Sequence, residues 1–234
     1  MSEEIVICAC ASRRIMAAGK VAKVAAALKQ NGFEVRLVPD FCELAEDHAE
    51  ALKTLAGKTL IACHERAVAS LAAWRGVQVG RILNLRTHTP EEVAGQLGTA
   101  LGDVPEDALD AWRRQLADMP AAQGHDAWYP TIDRSRCVDC GKCHDFCLFG
   151  VYTLDEDGRV QVSSPHNCKN NCPACARTCP QGAVIFPKHE HAPINGGEAK
   201  EEPAFQIDTK QLYNQALRER LAARRAGVSL LKKK

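Results

Sequence analysis

Eight of the twelve cysteines lie in one short stretch, in two runs with nearly the same spacing. The first run is Cys137-x2-Cys140-x2-Cys143-x3-Cys147, and the second is Cys168-x3-Cys172-x2-Cys175-x3-Cys179. Three thiolates spaced this way on a tight loop can bind three irons of one cube, while the fourth, carried into the following helix, points away. Backbone N–H groups of such a loop can donate to the cluster sulfurs. The spacing therefore predicts two 4Fe–4S half-motifs.

The two runs differ in detail. The second has one extra residue in its first gap, so the loop Lys169-Asn170-Asn171 is expected to bulge. It ends in Cys179-Pro180, which matches the usual pattern, whereas the first run continues as Cys147-Leu148. Neither difference removes a ligand. The alternatives are less suitable, because zinc sites use Cys-x2-Cys pairs separated by a longer span and disulfides belong to oxidising compartments.

The sequence around the cysteines repeats, because Cys143-x3-Cys147-Leu-Phe-Gly-Val-Tyr is similar to Cys175-x3-Cys179-Pro-Gln-Gly-Ala-Val-Ile. Each repeat ends in a predicted strand, Val151–Leu154 or Val184–Phe186, and 155–158 predicts a hairpin turn into Arg159–Val162. Residues 135–186 thus resemble a two-cluster bacterial-type ferredoxin. The resemblance implies crossed ligation at two sites. Site I would comprise Cys137, Cys140, Cys143 and Cys179, and site II would comprise Cys147, Cys168, Cys172 and Cys175.

The N-terminal half alternates short apolar segments with segments of helical spacing. Strands separated by helices of ten or more residues imply right-handed crossovers and a mostly parallel sheet. We therefore predict an α/β domain with flanking helices. Its predicted strands are Glu4–Ala9, Phe33–Val38, Lys58–Ala62 and Val77–Leu85, and its predicted helices are Arg13–Gln30, Cys42–Ala56, Glu65–Trp74, Glu91–Leu101 and Glu106–Met119.

The predicted organisation has four parts. Residues 1–120 form the α/β domain, 121–134 a linker, 135–187 a small α+β ferredoxin-like module, and 188–234 a surface strap with a C-terminal helix over Ile207–Ala222. We interpret this helix, which leads into a basic tail, as a solvated or packing element. The alternative is a docking arm for a partner protein.

The four remaining cysteines each follow a predicted strand. Cys8 and Cys10 end the first, Cys42 follows the second and Cys63 the third, so parallel strands would bring them to one edge of the sheet. Val-Ile-Cys-Ala-Cys, Asp-Phe-Cys-Glu and Ile-Ala-Cys-His-Glu-Arg resemble the N-terminal iron–sulfur domain of the heterodisulfide reductase A-subunit family. This resemblance implies a third 4Fe–4S cluster at site III, which comprises Cys8, Cys10, Cys42 and Cys63.

Three interpretations of site III remain open: a third cluster, a zinc or redox-active dithiol site, and buried cysteines without chemistry. Arg13 and Arg14, close behind Cys10, could offset cluster charge or simply begin a helix. The chain contains no Gly-x-Gly-x-x-Gly, so we expect neither a flavin nor a nucleotide.

Composition argues against two classes of protein, those that bind nucleic acid and those that span a membrane. A formal net charge of +1 with no clustered excess of Lys and Arg gives no reason to expect a nucleic-acid partner. The longest apolar runs are far shorter than the roughly 20 residues that span a bilayer. Met1–Glu4 lacks the features of a signal peptide, so we expect a cytoplasmic protein without a membrane span.

The predicted function is electron transfer, for which no catalytic acid or base is needed. The chain would be an electron-transfer protein, or an oxidoreductase subunit, that relays single electrons through two or three clusters. Its partners would be redox proteins, within a larger oxidoreductase complex. The alternatives are a reductase with its own active site at the N-terminal thiols and a redox-sensing regulator.

Overall fold

A computed structural model of the chain describes residues 3–119 and 126–198. Site I, site II and site III fall entirely within these ranges, whereas the predicted helix Ile207–Ala222 lies outside them. No helix in the described ranges has both the length and the apolar character that a bilayer crossing requires.

The N-terminal half is built on a parallel sheet of four strands, as predicted. The strands are β1 (Glu4–Cys8), β2 (Glu34–Val38), β3 (Thr59–Ala62) and β4 (Ile82–Asn84), and their order across the sheet is β2-β1-β3-β4. The register aligns Ile7 with both Leu37 and Ile61. Because β3 lies inside the sheet with helices over its faces, every one of its residues is buried.

Helices flank this sheet. They are α1 (Ala18–Gln30), α2 (Phe41–Asp47), α3 (Ala49–Lys53), α4 (Glu65–Trp74), α5 (Pro90–Gln96) and α6 (Glu106–Ala117). The apolar stripe of α1 is buried, including Val21, Val24 and Leu28, and α1 packs against α5 and α6. α5 begins with a capping box, in which the Thr89 hydroxyl accepts from the Glu92 N–H.

Several element boundaries differ from the prediction; the helix predicted to end at Leu101, for example, ends at Gln96. α1 starts at Ala18 instead of Arg13, because Cys10 and Arg14 adopt positive φ angles of 50° and 49° and turn the chain first. The predicted helix Cys42–Ala56 is interrupted at His48, which leaves α2 and α3 as separate helices. The fourth strand is limited to Ile82–Asn84.

The cysteine-rich module contains two small antiparallel sheets and two short helices. β5 (Thr131–Ile132) pairs with β8 (Val184–Ile185), and β6 (Tyr152–Leu154) pairs with β7 (Val160–Val162). The helices α7 (Lys142–Phe146) and α8 (Ala174–Thr178) pack against each other. A single turn of 3-10 helix, Pro165–Asn167, precedes Cys168. The predicted hairpin turn is present at Gly158, whose φ is 76°.

Residues that connect the two halves are packed into the structure. The segment predicted as a linker, 121–134, contributes β5 and the buried side chains of Trp128 and Tyr129. The Trp74 ring contacts that of Tyr129, with centroids 5.6 Å apart, and its indole N–H donates to the Val162 carbonyl of the module. These contacts join the two hydrophobic cores.

A close backbone approach at Gly80 gives a test of this fold. A Cβ there would lie 2.7 Å from the Gly57 carbonyl oxygen, which is too short for a packed contact. We expect Gly80→Ala to lower the free energy of unfolding by about 1–3 kcal/mol, measured by denaturant titration. The matched control is Gly95→Ala, at an exposed position of α5 where an added Cβ would have no atom within 4 Å. This substitution should stabilise the protein by up to about 1 kcal/mol. Equal effects of the two substitutions would contradict the described packing.

Candidate metal centres

All twelve cysteines are free thiols, and they line three separate cavities in groups of four. Each group is one of the predicted foursomes: site I, site II or site III. In the described residues, no three cysteine sulfurs lie within 4.8 Å of one another. A tetrahedral zinc ion with Zn–S bonds of about 2.3 Å would hold its sulfurs roughly 3.8 Å apart. The sulfurs of a site are therefore not gathered as closely as the ligands of one zinc ion.

Site I is formed by the loop before α7 and the end of α8. Gly141, with a φ of 72°, starts α7 and lets the loop from Cys137 reverse direction before Cys143. Cys179 arrives from the other repeat, directly after α8. Its sulfur accepts a hydrogen bond from the Ala183 N–H at 3.3 Å. The structure thus brings one thiol of the second run to the cavity of the first, while crossed ligation of a cluster stays a prediction.

Site II has the reciprocal arrangement, because Cys147 follows α7 and joins three cysteines of the second run. The Tyr152 hydroxyl donates to the Cys175 sulfur at 3.1 Å, and both side chains are buried. The predicted bulge in the second run is present, and Asn171 within it has a φ of 62°. Tyr152 is a site residue that the spacing of cysteines could not indicate.

Site III lies at the carboxyl ends of β1, β2 and β3, as the strand assignment predicted. Cys8 ends β1, Cys42 lies on the first turn of α2, and Cys63 follows β3. Asp40 caps α2 by accepting from the Cys42 N–H at 3.0 Å, which holds this thiol in place. The Phe41 N–H donates to the Cys8 sulfur at 3.3 Å.

A strap segment from beyond the module closes site III. Pro187 and Lys188 line the same cavity as the four thiols, together with Arg86. The Lys188 ammonium lies 2.6 Å from the Asp40 carboxylate, with both side chains almost fully buried, and it also donates to the Ser12 hydroxyl. Arg86 donates to the Pro187 carbonyl at 2.9 Å. Sequence reasoning missed Lys188, since no local pattern places a strap residue beside an N-terminal strand.

Burial is the largest cause of the raised thiol pKa values at all three sites. It raises the pKa of Cys63 and of Cys168 to about 12 and that of Cys143 to about 11, while Cys8 and Cys42 are shifted well above their usual range. Burial disfavours the thiolate, so these groups take up negative charge only beside compensating positive charge. A metal cluster would provide it.

Lys188 is positively charged in this setting. Burial opposes its charge, yet Cys42 and Asp40 outweigh burial, so the pKa of Lys188 lies above its ordinary value. At site III the cation therefore offsets the charge of the Asp40 carboxylate. Four sulfur donors, N–H donors aimed at sulfur and a buried cation together fit an anionic iron–sulfur cluster.

Comparisons with known proteins point to the same cofactor. The 4Fe–4S binding domain family matches residues 129–152. An uncharacterized ferredoxin of Methanocaldococcus jannaschii is 48% identical over 62 residues, 26% of this chain and 42% of that protein. A second one from this organism is 38% identical over 57 residues, 24% of this chain and 73% of that protein. Ferredoxin-3 of Nostoc sp. is 32% identical over 79 residues, 25% of this chain and 80% of that protein.

These matches support the ferredoxin resemblance. The matched region spans less than half the length of the first of these relatives. The similarity of the N-terminal cysteines to the heterodisulfide reductase A-subunit family stays a prediction.

The buried ion pair at site III gives a stability test. Lys188→Met would leave the Asp40 carboxylate buried without its cation, so we expect the free energy of unfolding to fall by about 3–5 kcal/mol. Lys169→Met is the matched control, because Lys169 is exposed. Anaerobic denaturant unfolding of both variants measures the difference. A loss no larger in Lys188→Met than in the control would show that the pair does not hold the strap in place.

Proposed function

This chain belongs to the 4Fe–4S ferredoxins, and we propose that it relays single electrons through three clusters held at site I, site II and site III. The observation that carries the proposal is the grouping of twelve free thiols into three foursomes, each around its own cavity. A 4Fe–4S cluster exchanges one electron at a time at a potential tuned by charge, hydrogen bonds and exposure. Crossed ligation would place Cys179 at site I and Cys147 at site II.

The chain's own groups prepare these sites for negative charge. The Phe41 and Ala183 N–H groups and the Tyr152 hydroxyl each donate to a cysteine sulfur. Lys188 and Arg86 place positive charge at site III, where burial keeps solvent away. Such contacts favour the more reduced state, because that state carries one more negative charge.

The burial of the N-terminal thiols favours a relay over a reductase active site. Cys8, Cys10 and Cys42 are each less than one-tenth exposed. A thiol pair that reduces a substrate must reach it, whereas an electron can pass between buried groups. This supports electron transfer as the function of site III.

Redox partners are proposed to approach the module. Cys140 is exposed, and apolar side chains lie on the same part of the chain: Val138 is 62% exposed and Leu148 is 91% exposed. A partner that covers such side chains would gain from removing them from water, and it would come close to a cluster ligand. A larger oxidoreductase complex is one setting for this contact.

Counting iron tests the number of clusters. Anaerobically purified protein should contain about twelve irons and twelve acid-labile sulfides per chain, four for each site. Cys10→Ser/Cys63→Ser should lower both to about eight and remove one EPR signal of the dithionite-reduced protein. If the unaltered chain holds about eight irons and the double variant matches it, site III carries no cluster and the relay is confined to the module.

The Tyr152 hydroxyl gives a second test, directed at one cluster. Tyr152→Phe removes a hydrogen bond to the Cys175 sulfur and should shift the reduction potential of site II to a more negative value. Tyr129→Phe is the control, because its hydroxyl donates to the Cys42 carbonyl oxygen instead of a sulfur. EPR-monitored redox titration reports each potential. Identical titrations of Tyr152→Phe and the unaltered chain would remove this residue from the proposed tuning.

A further inference from the structure

The extra residue of the second cysteine run makes a contact between the two halves of the molecule. Asn170 and Asn171 each accept a hydrogen bond from the Arg13 guanidinium, at 2.5 Å and 2.7 Å. Asp126 completes the group, since its carboxylate pairs with Arg13 at 3.0 Å and accepts from the Asn170 amide at 3.1 Å. A loop one residue shorter would not place the amides of both Asn170 and Asn171 at Arg13, so the inserted residue helps to join the two halves.

Arg13 belongs to the loop that carries the site III thiols. It lies three residues after Cys10, and its guanidinium stacks over the Trp128 ring at 4.5 Å from the centroid. The Trp128 indole N–H donates to the Cys172 carbonyl of site II at 3.4 Å. Arg13 therefore contacts the site II loop both directly and through Trp128.

A short connection runs on from Trp128 to site III. The next residue, Tyr129, is fully buried, and its hydroxyl donates to the Cys42 carbonyl at 2.5 Å. One covalent dipeptide thus joins the Cys172 carbonyl of site II to the Cys42 carbonyl of site III by a hydrogen bond at each end. Both rings lie in packed cores, with Trp128 against Phe186.

Other contacts also hold the site II loop against the N-terminal half. Cys168 packs against the hydrophobic core of the N-terminal half. His166, two residues earlier, lies 2.8 Å from Asp47 and 3.5 Å from Glu46, at the end of the helix α2 that begins beside Cys42. The site II loop therefore packs on the helix that carries a site III thiol.

Site I also has a contact with the N-terminal half, through α4. Arg66 of α4 does reach this side, where it pairs with Asp133 at 2.9 Å. However, Arg66 and Asp133 line an open groove of about 1500 Å³, together with His64 and Ser135. Arg66 also donates to the Gly182 carbonyl at 3.0 Å, so site I has a charged contact with α4, whereas the site II loop has the contacts of Arg13, Trp128 and Cys168. The packed connection leads to site II.

We propose that site II is the point at which the module exchanges electrons with site III, and that Arg13 is the positioning residue that holds it there through the inserted Asn170-Asn171 turn. The sequence of sites is then III–II–I, with site I at the far end. With clusters bound, each step would move one electron, oxidising one cluster and reducing the next, and no covalent bond would form or break. The inference rests on the proposed occupancy of site III.

Magnetic interaction between reduced clusters identifies the neighbour of site III. In dithionite-reduced protein, the site III EPR signal should be broadened by a nearby cluster spin. Removing site II with Cys168→Ala/Cys172→Ala should abolish this broadening, whereas the matched Cys137→Ala/Cys140→Ala, which removes site I, should preserve it. Both variants should retain about eight irons. The reverse pattern would overturn the proposed order.

Substitutions that keep every ligand test the role of Arg13. Arg13→Gln and Asn171→Gly should each weaken the broadening of the site III signal, while iron stays at about twelve per chain. Glycine keeps the positive φ of 62° at this position and removes only the amide. Arg14→Gln, at an exposed neighbour, is the control and should change nothing.

The outcomes separate two failures. Unchanged broadening in both variants, with about twelve irons, would overturn the role of Arg13 and leave the electron-relay proposal standing. About eight irons in the unaltered chain, with no site III signal, would overturn the occupancy of site III and this inference with it.

Discussion

Four buried thiols in one place need positive charge before they can ionise, and this requirement shapes the whole molecule. Burial is the largest cause of the raised pKa values of Cys8, Cys143 and Cys168, one thiol from each site, because a thiolate loses its hydration there. Cluster irons would provide the missing charge in each case. At site III the protein adds the positive charges of Lys188 and Arg86, which are distant in sequence from Cys8 and Cys10.

The charge balance at site III also explains why the two halves are packed together. Lys188 follows the module, yet its ammonium is paired with Asp40 at the start of α2. An ion pair with both partners buried is costly to separate, since each charge would be left without solvent. Lys188 therefore ties the strap to the N-terminal half, while the Trp74 contacts with Tyr129 and Val162 join that half to the module.

The two module sites are unequal. Their ligand patterns are nearly the same, but site II packs against the N-terminal half through Cys168 and the Trp128–Tyr129 pair, while site I contacts α4 through the Arg66–Asp133 ion pair and exposes Cys140. The asymmetry supports the proposed order of the relay, in which site II lies between site III and site I. It also accounts for the extra residue in the second cysteine run, which the ferredoxin pattern leaves unexplained.

The sequence by itself determined which thiols belong together. The short spacings predict two cluster-binding half-motifs, the ferredoxin resemblance implies their crossed pairing into sites I and II, and the alternation of strands and helices places Cys8, Cys42 and Cys63 at one sheet edge. Both signals are local or periodic, so they can be recognised in the sequence without knowledge of the fold. Only the tertiary structure brought Lys188 to Asp40, Arg13 to Asn171 and Tyr129 to Cys42. These contacts join residues far apart in the chain, and no repeating pattern records them, because each depends on how the strap, the connecting segment and the bulged loop pack against the sheet. For the same reason α1 begins at Ala18: the loop before it follows the geometry of site III instead of its own helical propensity.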